Sequence, residues 1–248
     1  MTKHRIAGFV ALSVMLVAPV LVATADVSDI IFRVTATNDA GSGSFEATFD
    51  QMVYYPTQQV WVWSTGAVPI MDDDFGTTQI AVLQNANVLL QADPKIAMGF
   101  SVQSGASLTT FTIESAVLSF PTIPDVASEG MASVALNVSD AWAGDGVTMA
   151  ELGAAGSGVY QTYYNTDQLF VNLLSQVSAG PGGSGSVFQN YPPIGYADVA
   201  GDVSSMHSWF GFTLTPGDIG GATSLYEIVP EPATFVLLVL ALVAVRRR

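Results

Sequence analysis

The chain has no cysteine, and between its two ends it has one histidine and two basic residues. Without disulfides the chain depends on core packing, and thiolate zinc sites and iron–sulfur clusters are excluded. A Ser-His-Asp hydrolase would have to use His207, the histidine that remains beyond residue 25, and the sequence contains no G-x-S-x-G elbow. We therefore interpret His207 as a structural residue and expect no catalytic site.

The scarcity of positive charge excludes a second class of function. Arg33 and Lys95 are the two basic residues between Asp26 and Glu231, against 21 acidic residues, which gives that region a formal charge of −19. Such a surface repels nucleic acid and anionic lipid, so we expect no nucleic-acid partner. A strongly acidic exterior also favours solubility.

The N-terminus has the pattern of a secretory signal peptide. A short basic start precedes the apolar run 6–22, and Ala23 and Ala25 stand at the −3 and −1 positions before Asp26. The pattern predicts a signal helix in residues 1–25 that signal peptidase removes by cleaving between Ala25 and Asp26.

The C-terminus carries a second export-related pattern. An extended Pro230-Glu231-Pro232 leads into the apolar segment 233–245, and the chain stops at a basic tail formed by Arg246, Arg247 and Arg248. As a helix the segment spans about 20 Å, which is shorter than a typical hydrocarbon core. The arginines stay on the cytoplasmic side, so we predict a transmembrane helix over 233–245 with the body of the chain outside.

Residues 229–248 resemble the PEP-CTERM sorting signal of Gram-negative and related bacteria, with all three parts in the right order. The resemblance implies recognition and processing by a membrane-embedded exosortase-like enzyme, in hosts that generally make extracellular polysaccharide. It implies an exported protein that is transiently anchored in the inner membrane and ends at the cell surface, the outer membrane or the extracellular space. It implies nothing about the domain in front of the signal.

The body, residues 26–228, has the alternation of apolar and polar residues that is typical of β-strands. Turn signals such as Asp93-Pro94 and Pro216-Gly217-Asp218 separate the runs. We predict one all-β domain, a β-sandwich or jelly roll. The expected strands lie at 30–37, 45–50, 59–63, 96–102, 108–113, 116–120, 131–138, 208–215 and 226–228.

One stretch of the body departs from this alternation. Residues 166–177 carry apolar side chains at helical spacing behind Thr166, which predicts a short amphipathic helix against the sandwich edge. The glycine-rich residues 179–186 follow, and we expect a flexible loop there.

Two groups of residues are candidate ligand sites. Asp72, Asp73 and Asp74 form the densest acidic cluster and offer the oxygen ligands that calcium prefers, although a solvated turn linking two strands is the favoured interpretation. Trp61 and Trp63 lie on one face of a strand, as a sugar-stacking platform requires and as a core also requires. No cofactor other than this calcium is expected.

We therefore expect a non-enzymatic structural or interaction protein of the cell surface or extracellular matrix. The alternative is a carbohydrate-binding module, calcium-assisted or not, that contacts extracellular polysaccharide. A glycoside hydrolase or lyase is the least favoured hypothesis, because with 21 acidic residues some carboxylate pair will meet the required spacing by chance.

Overall fold

The computed structural model describes residues 26–74, 76–125, 128–142 and 144–230. The predicted signal helix 1–25, the predicted transmembrane helix 233–245 and the basic tail 246–248 lie outside these residues. Within the described ranges, no helix combines the length and the apolar character needed to cross a bilayer.

The described residues form two antiparallel sheets and one turn of 3-10 helix at Phe49–Gln51. The ten-stranded first sheet consists of β1 (Asp26–Val27), β2 (Ile30–Asn38), β3 (Gly41–Thr48), β9 (Thr109–Ser115), β10 (Leu118–Ile123), β12 (Val147–Glu151), β13 (Tyr160–Tyr164), β14 (Gln168–Leu173), β15 (Gln176–Ala179) and β18 (Val203–Leu214). The nine-stranded second sheet consists of β4 (Val53–Tyr55), β5 (Val60–Thr65), β6 (Val68–Met71), β7 (Gln79–Gln91), β8 (Lys95–Ser104), β11 (Ser128–Ser139), β16 (Ser184–Tyr191), β17 (Ala197–Asp198) and β19 (Ile219–Pro230).

Long central strands organise both sheets. In the first, β18 pairs with β9 and β10 along one edge and with β12 and β13 along the other. In the second, β19 lies between β8 and β11 and pairs with β11 over its whole length. Between the described strands the chain changes sheets seven times, after β3, β8, β10, β11, β15, β17 and β18, so strands distant in sequence become neighbours.

The two sheets pack face to face around one apolar core, as the period-two pattern predicts. Phe100 from the second sheet makes an edge-to-face contact with Phe210 at 4.9 Å between ring centroids, and it stacks on Phe212 at 6.1 Å. Both phenylalanines on β18 are fully buried. The all-β prediction and the two-sheet arrangement are thereby confirmed.

The helix predicted at 166–177 is wrong. Residues Gln168–Leu173 are strand β14, which pairs with β13 through a tight turn at Asn165 and Thr166, whose φ angles are 47° and 79°. Phe170 stacks on Tyr226 of the second sheet at 5.6 Å, so burial of its ring is achieved in the strand conformation. Local helical spacing is overridden here by pairing with a neighbouring strand, a contact that sequence periodicity does not report.

The glycine-rich stretch after this region is also more ordered than expected. Residues 179–186 include the end of β15 and the start of β16, and the amide of Gly183 donates to the carbonyl of Gly180 at 2.9 Å. The stretch is a short turn between the two sheets, with no long loop.

Candidate functional site

The predicted platform of Trp61 and Trp63 is not present on the surface. Trp63 is 6% exposed, and its ring lies 5.4 Å from that of Phe32 and 6.3 Å from that of Phe45, centroid to centroid. Alternation brought both tryptophans to one strand face, but that face is the inner one. The prediction of a two-tryptophan sugar platform is therefore wrong.

Trp61 lies at the edge of the second sheet in a small aromatic cluster. Its ring centroid is 4.9 Å from that of Tyr54, on the paired strand β4, and 6.3 Å from that of Phe49. The ring planes are tilted by 33° and 52°, and the indole is itself partly buried against the core. Tilted rings do not present one flat face to a sugar.

The three consecutive aspartates do not converge on a common point. Asp72 is 5% exposed and turns inward against Gly41, whereas the carboxylate of Asp73 faces Ser44 at 3.4 Å from its amide, and Asp74 is exposed. Among the residues that the structure describes, no three acidic or histidine side chains are grouped closely enough to hold a metal ion. The fold therefore offers no support for calcium at this turn.

His207 lies on the outer face of the first sheet. Its imidazole stacks on the ring of Tyr163 with 5.0 Å between centroids and 7° between planes. Burial lowers the pKa of His207, and Nδ1 has no hydrogen-bond partner among the described residues. The stacking explains the position of this side chain without any catalytic partner.

The two ends of the predicted body are only partly described. Asp26, the predicted first residue after cleavage, begins β1 opposite Ser119, and Pro230 ends β19 opposite Ser128. The other residues of the predicted processing signals lie outside the described ranges, namely Ala23, Ala25, Glu231, Pro232, Arg246, Arg247 and Arg248.

The most exposed tryptophan of the described chain lies elsewhere, in the connection between β11 and β12. Trp142 is 67% exposed and forms one wall of a groove of about 320 Å³. The groove lies where that loop meets β7, β8 and the turn between β18 and β19. Its lining includes Gln79, Val82, Gln103, Gly105, Trp142 and Gly217.

Gly217 supports the indole of Trp142 from below. A β-carbon at this glycine would stand 2.8 Å from Cβ of Trp142 and would collide with its ring, so the indole packs directly on the glycine backbone. The φ angle of Gly217 is +73°, a conformation that other residues rarely adopt. Gly217 is therefore required both for the backbone conformation of the turn and for the close packing of the indole.

Two carboxylates fix the backbone on either side of Trp142. Asp140 accepts hydrogen bonds from the amides of Gly182 at 2.8 Å, Gly146 at 2.9 Å and Gly144 at 3.1 Å. These bonds, with that of Gly182 the strongest, hold the pKa of Asp140 below its ordinary value. Asp218, 1% exposed, accepts from the amide of Ala141 at 3.1 Å. Hydrogen bonds thus hold the described backbone on both sides of Trp142 before any ligand arrives.

The floor of the groove is polar and uncharged. Gln84 donates to Oε1 of Gln103 at 2.9 Å, and Nε2 of Gln103 donates to the carbonyl of Gly217 at 3.0 Å. None of the described lining residues is ionisable. An aromatic face beside fixed amides matches a ligand that presents both C–H and hydroxyl groups, because the electron-rich ring face attracts weakly positive C–H hydrogens.

Sequence analysis missed Trp142 because it searched for aromatics that alternate along strands. The available signal was the opposite one, a tryptophan within the run Asp140-Ala141-Trp142-Ala143-Gly144-Asp145-Gly146, where glycine and aspartate indicate a turn. A large aromatic in a turn has little local opportunity for burial. Its partners at positions 79, 103 and 217 are separated from it by long stretches of chain.

No family model and no curated protein sequence matches this chain. Among solved structures it is similar to TmCBM61, solved in complex with β-1,4-galactotriose, with a TM-score of 0.28, 10% identity, and coverage of 55% of this chain and 71% of that chain. It is also similar to the adhesin domain of Epf from Streptococcus pyogenes, with a TM-score of 0.26, 5% identity, and coverage of 82% of this chain and 62% of that chain. Such low values assign no function.

Proposed function

We propose that this chain is an exported, non-catalytic β-sandwich that binds uncharged polysaccharide through the groove beside Trp142. The observation that carries the proposal is the indole itself, which is 67% exposed yet packs on Gly217 and is flanked by backbone amides that Asp140 and Asp218 hold. A pre-organised aromatic side chain loses less conformational entropy on binding than a mobile side chain does, so the cost of binding is lower.

The charge distribution supports an uncharged ligand. The region from Asp26 to Glu231 carries a formal charge of −19, which disfavours acidic polymers at every approach. The described groove residues add no charge of either sign, and Gln79 and Gln103 offer amide groups suited to sugar hydroxyls. Neutral polysaccharide satisfies both conditions.

Export and sorting are part of the same proposal. The signal pattern ending at Ala25 and the PEP-CTERM-like tail from Val229 predict delivery through the general secretory route and processing by an exosortase-like enzyme. A polysaccharide-binding domain delivered this way would act as an interaction protein of the cell surface or matrix, where its ligand is abundant.

Affinity electrophoresis of the purified chain tests the binding function. At least one of the neutral polymers hydroxyethylcellulose, xyloglucan and galactomannan should retard migration of the chain. Anionic alginate should not retard it. Trp142→Ala should weaken the retardation by at least about tenfold, or about 1.4 kcal/mol. The matched control is Phe188→Ala, which removes an aromatic that is 64% exposed on β16. Retardation by no neutral polymer, or an equal loss in both variants, contradicts the proposal.

Intact-mass analysis of protein recovered from the native host tests export and sorting. We expect a species that begins at Asp26 and ends near Pro230 to Pro232. A species that still carries residues 235–248 would show instead that the tail is a plain membrane anchor, and one that starts at Met1 would contradict signal cleavage.

A further inference from the structure

A second tryptophan lies flat on the outer face of the first sheet. A β-carbon at Gly211 would collide with the six-membered ring of Trp209, so this ring covers the glycine two residues further along its own strand. Phe210 and Phe212, the alternate residues of β18, are fully buried. One face of the Trp209 ring therefore rests on the backbone at Gly211, and the residue is only half-buried.

Polar side chains of the neighbouring strands stand beside this ring. In register, Trp209 lies between Glu114 of β9 and Gln161 of β13, and Gly211 lies opposite Thr112. Gln161 is itself fixed, because its Nε2 donates to the carbonyl of Ser157 at 2.6 Å and its Oε1 accepts from the hydroxyl of Tyr163. A flat aromatic face is thus bordered by amide, hydroxyl and carboxylate groups.

The carboxylates near this ring are partly neutralised, because one arginine lies between two glutamates and leaves a local formal charge of −1. Arg33 donates to Glu46 at 2.7 Å and lies 3.6 Å from Glu114. Arg33, one of the two basic residues of the body, is therefore paired near this ring. Its charge partly offsets that of Glu114, which lies opposite Trp209 in register. The surface presented to a ligand is an aromatic ring bordered by an amide, a hydroxyl and one partly neutralised carboxylate, which fits an uncharged sugar better than an anion.

We propose that Trp209 forms a second polysaccharide-binding platform, on the opposite side of the sandwich from the Trp142 groove. The groove is lined by Val82 and Gln103 of the second sheet, whereas Trp209 faces out from the first sheet. One chain thereby binds two polymer strands and cross-links them. The inference takes its ligand class from the proposed function but rests on a different tryptophan.

The test is light scattering from the neutral polymer that retards the native chain most, titrated with purified native chain and variants. The native chain should raise the scattering by cross-linking. Trp209→Ala and Trp142→Ala should each be retarded less than the native chain but more than the double variant. Each should lower the scattering increase by at least about tenfold, and the double variant should lose both properties. Trp209→Phe, which keeps a flat ring, should retain most of the cross-linking.

A variant that blocks access to the ring of Trp209 keeps the test valid if Trp209→Ala fails to fold. Thr112→Lys places a long side chain beside the ring on the outer face without altering the core, and it should abolish cross-linking while leaving the melting temperature near that of the native chain. Native scattering from Trp209→Ala or from Thr112→Lys overturns the second platform and leaves the groove intact. Native scattering and native gel retardation from Trp142→Ala would instead overturn the proposed groove.

Discussion

Trp63 and Trp142 are the same residue type in opposite surroundings, one 6% exposed on a strand and the other 67% exposed on a loop. The ring of Trp63 is enclosed by Phe32 and Phe45 between the two sheets. The ring of Trp142 has the backbone of Gly217 on one side and an open groove on the other. The buried ring of Trp63 stabilises the fold, whereas the exposed ring of Trp142 leaves an aromatic surface available to a ligand.

The difference shows that the backbone context of an aromatic decides its role. In a strand, a large ring that faces the partner sheet is buried by the many contacts around it. In a turn, a ring remains exposed unless another element covers it, and here two aspartates hold the backbone so that it stays exposed. The comparison predicts that replacing Trp63 mainly lowers stability, whereas replacing Trp142 mainly weakens binding.

The largest expected effect is on stability at Trp63. Trp63→Ala leaves a cavity between the sheets and should lower the free energy of unfolding by about 3–5 kcal/mol. Chemical denaturation followed by fluorescence or circular dichroism measures this loss. A change below about 1 kcal/mol would mean that the ring contributes far less to the core than its burial implies.

Gly217→Ala should affect both properties at once. The left-handed backbone and the collision with Trp142 should together lower stability by about 1–2 kcal/mol and displace the ring. Gly201→Ala is the matched control, because its φ of +77° is similar but its added β-carbon meets no atom within 4 Å. Calorimetry should therefore show similar melting temperatures for the two variants, whereas gel retardation should be weaker for Gly217→Ala. Equal retardation would contradict the packing of Trp142 on Gly217.

Trp142→Ala should change stability by only about 0.5 kcal/mol or less, since the ring is mostly exposed. Denaturation under the conditions used for Trp63→Ala provides the comparison. A loss as large as that of a core residue would show that Trp142 stabilises the fold, and would weaken its assignment to ligand binding.

The smallest effect concerns pH and the loop that carries Trp142. The lowered pKa of Asp140 means that its hydrogen bonds stabilise the loop fully at neutral pH, and that this stabilisation is lost as pH falls through the lowered value. The fluorescence of the native chain should therefore show a loop transition only at a pH below the ordinary pKa of an aspartate. Asp140→Asn should remove this transition, with binding weakened at neutral pH; an unchanged acid transition in the variant would contradict the role of Asp140.

Much of the fold was predictable, because a strand with one buried face leaves period-two alternation in its sequence. The runs at 30–37, 96–102 and 131–138 illustrate this, and all three are central strands. The pairing order was not predictable, since it depends on which strands change sheets. The same limit explains the error at 166–177, where pairing with Tyr160–Tyr164 decided the conformation.

The candidate site was harder to predict than the fold. Gln79, Gln103, Trp142 and Gly217 come from four separate elements, and only the topology brings them together. Sequence alternation also cannot tell the inner face of a strand from the outer one, which is why Trp63 was misplaced. Turn composition around Trp142 was the one local indication that its ring would stay outside.

The most direct measurement is a calorimetric titration of the native chain, Trp142→Phe and Trp142→Ala with the neutral polysaccharide that retards the native chain most. If a stacking face beside the groove drives binding, the phenylalanine variant should retain most of the affinity and the alanine variant should lose at least about tenfold. Native affinity in the alanine variant, with an unchanged melting temperature, would contradict the account.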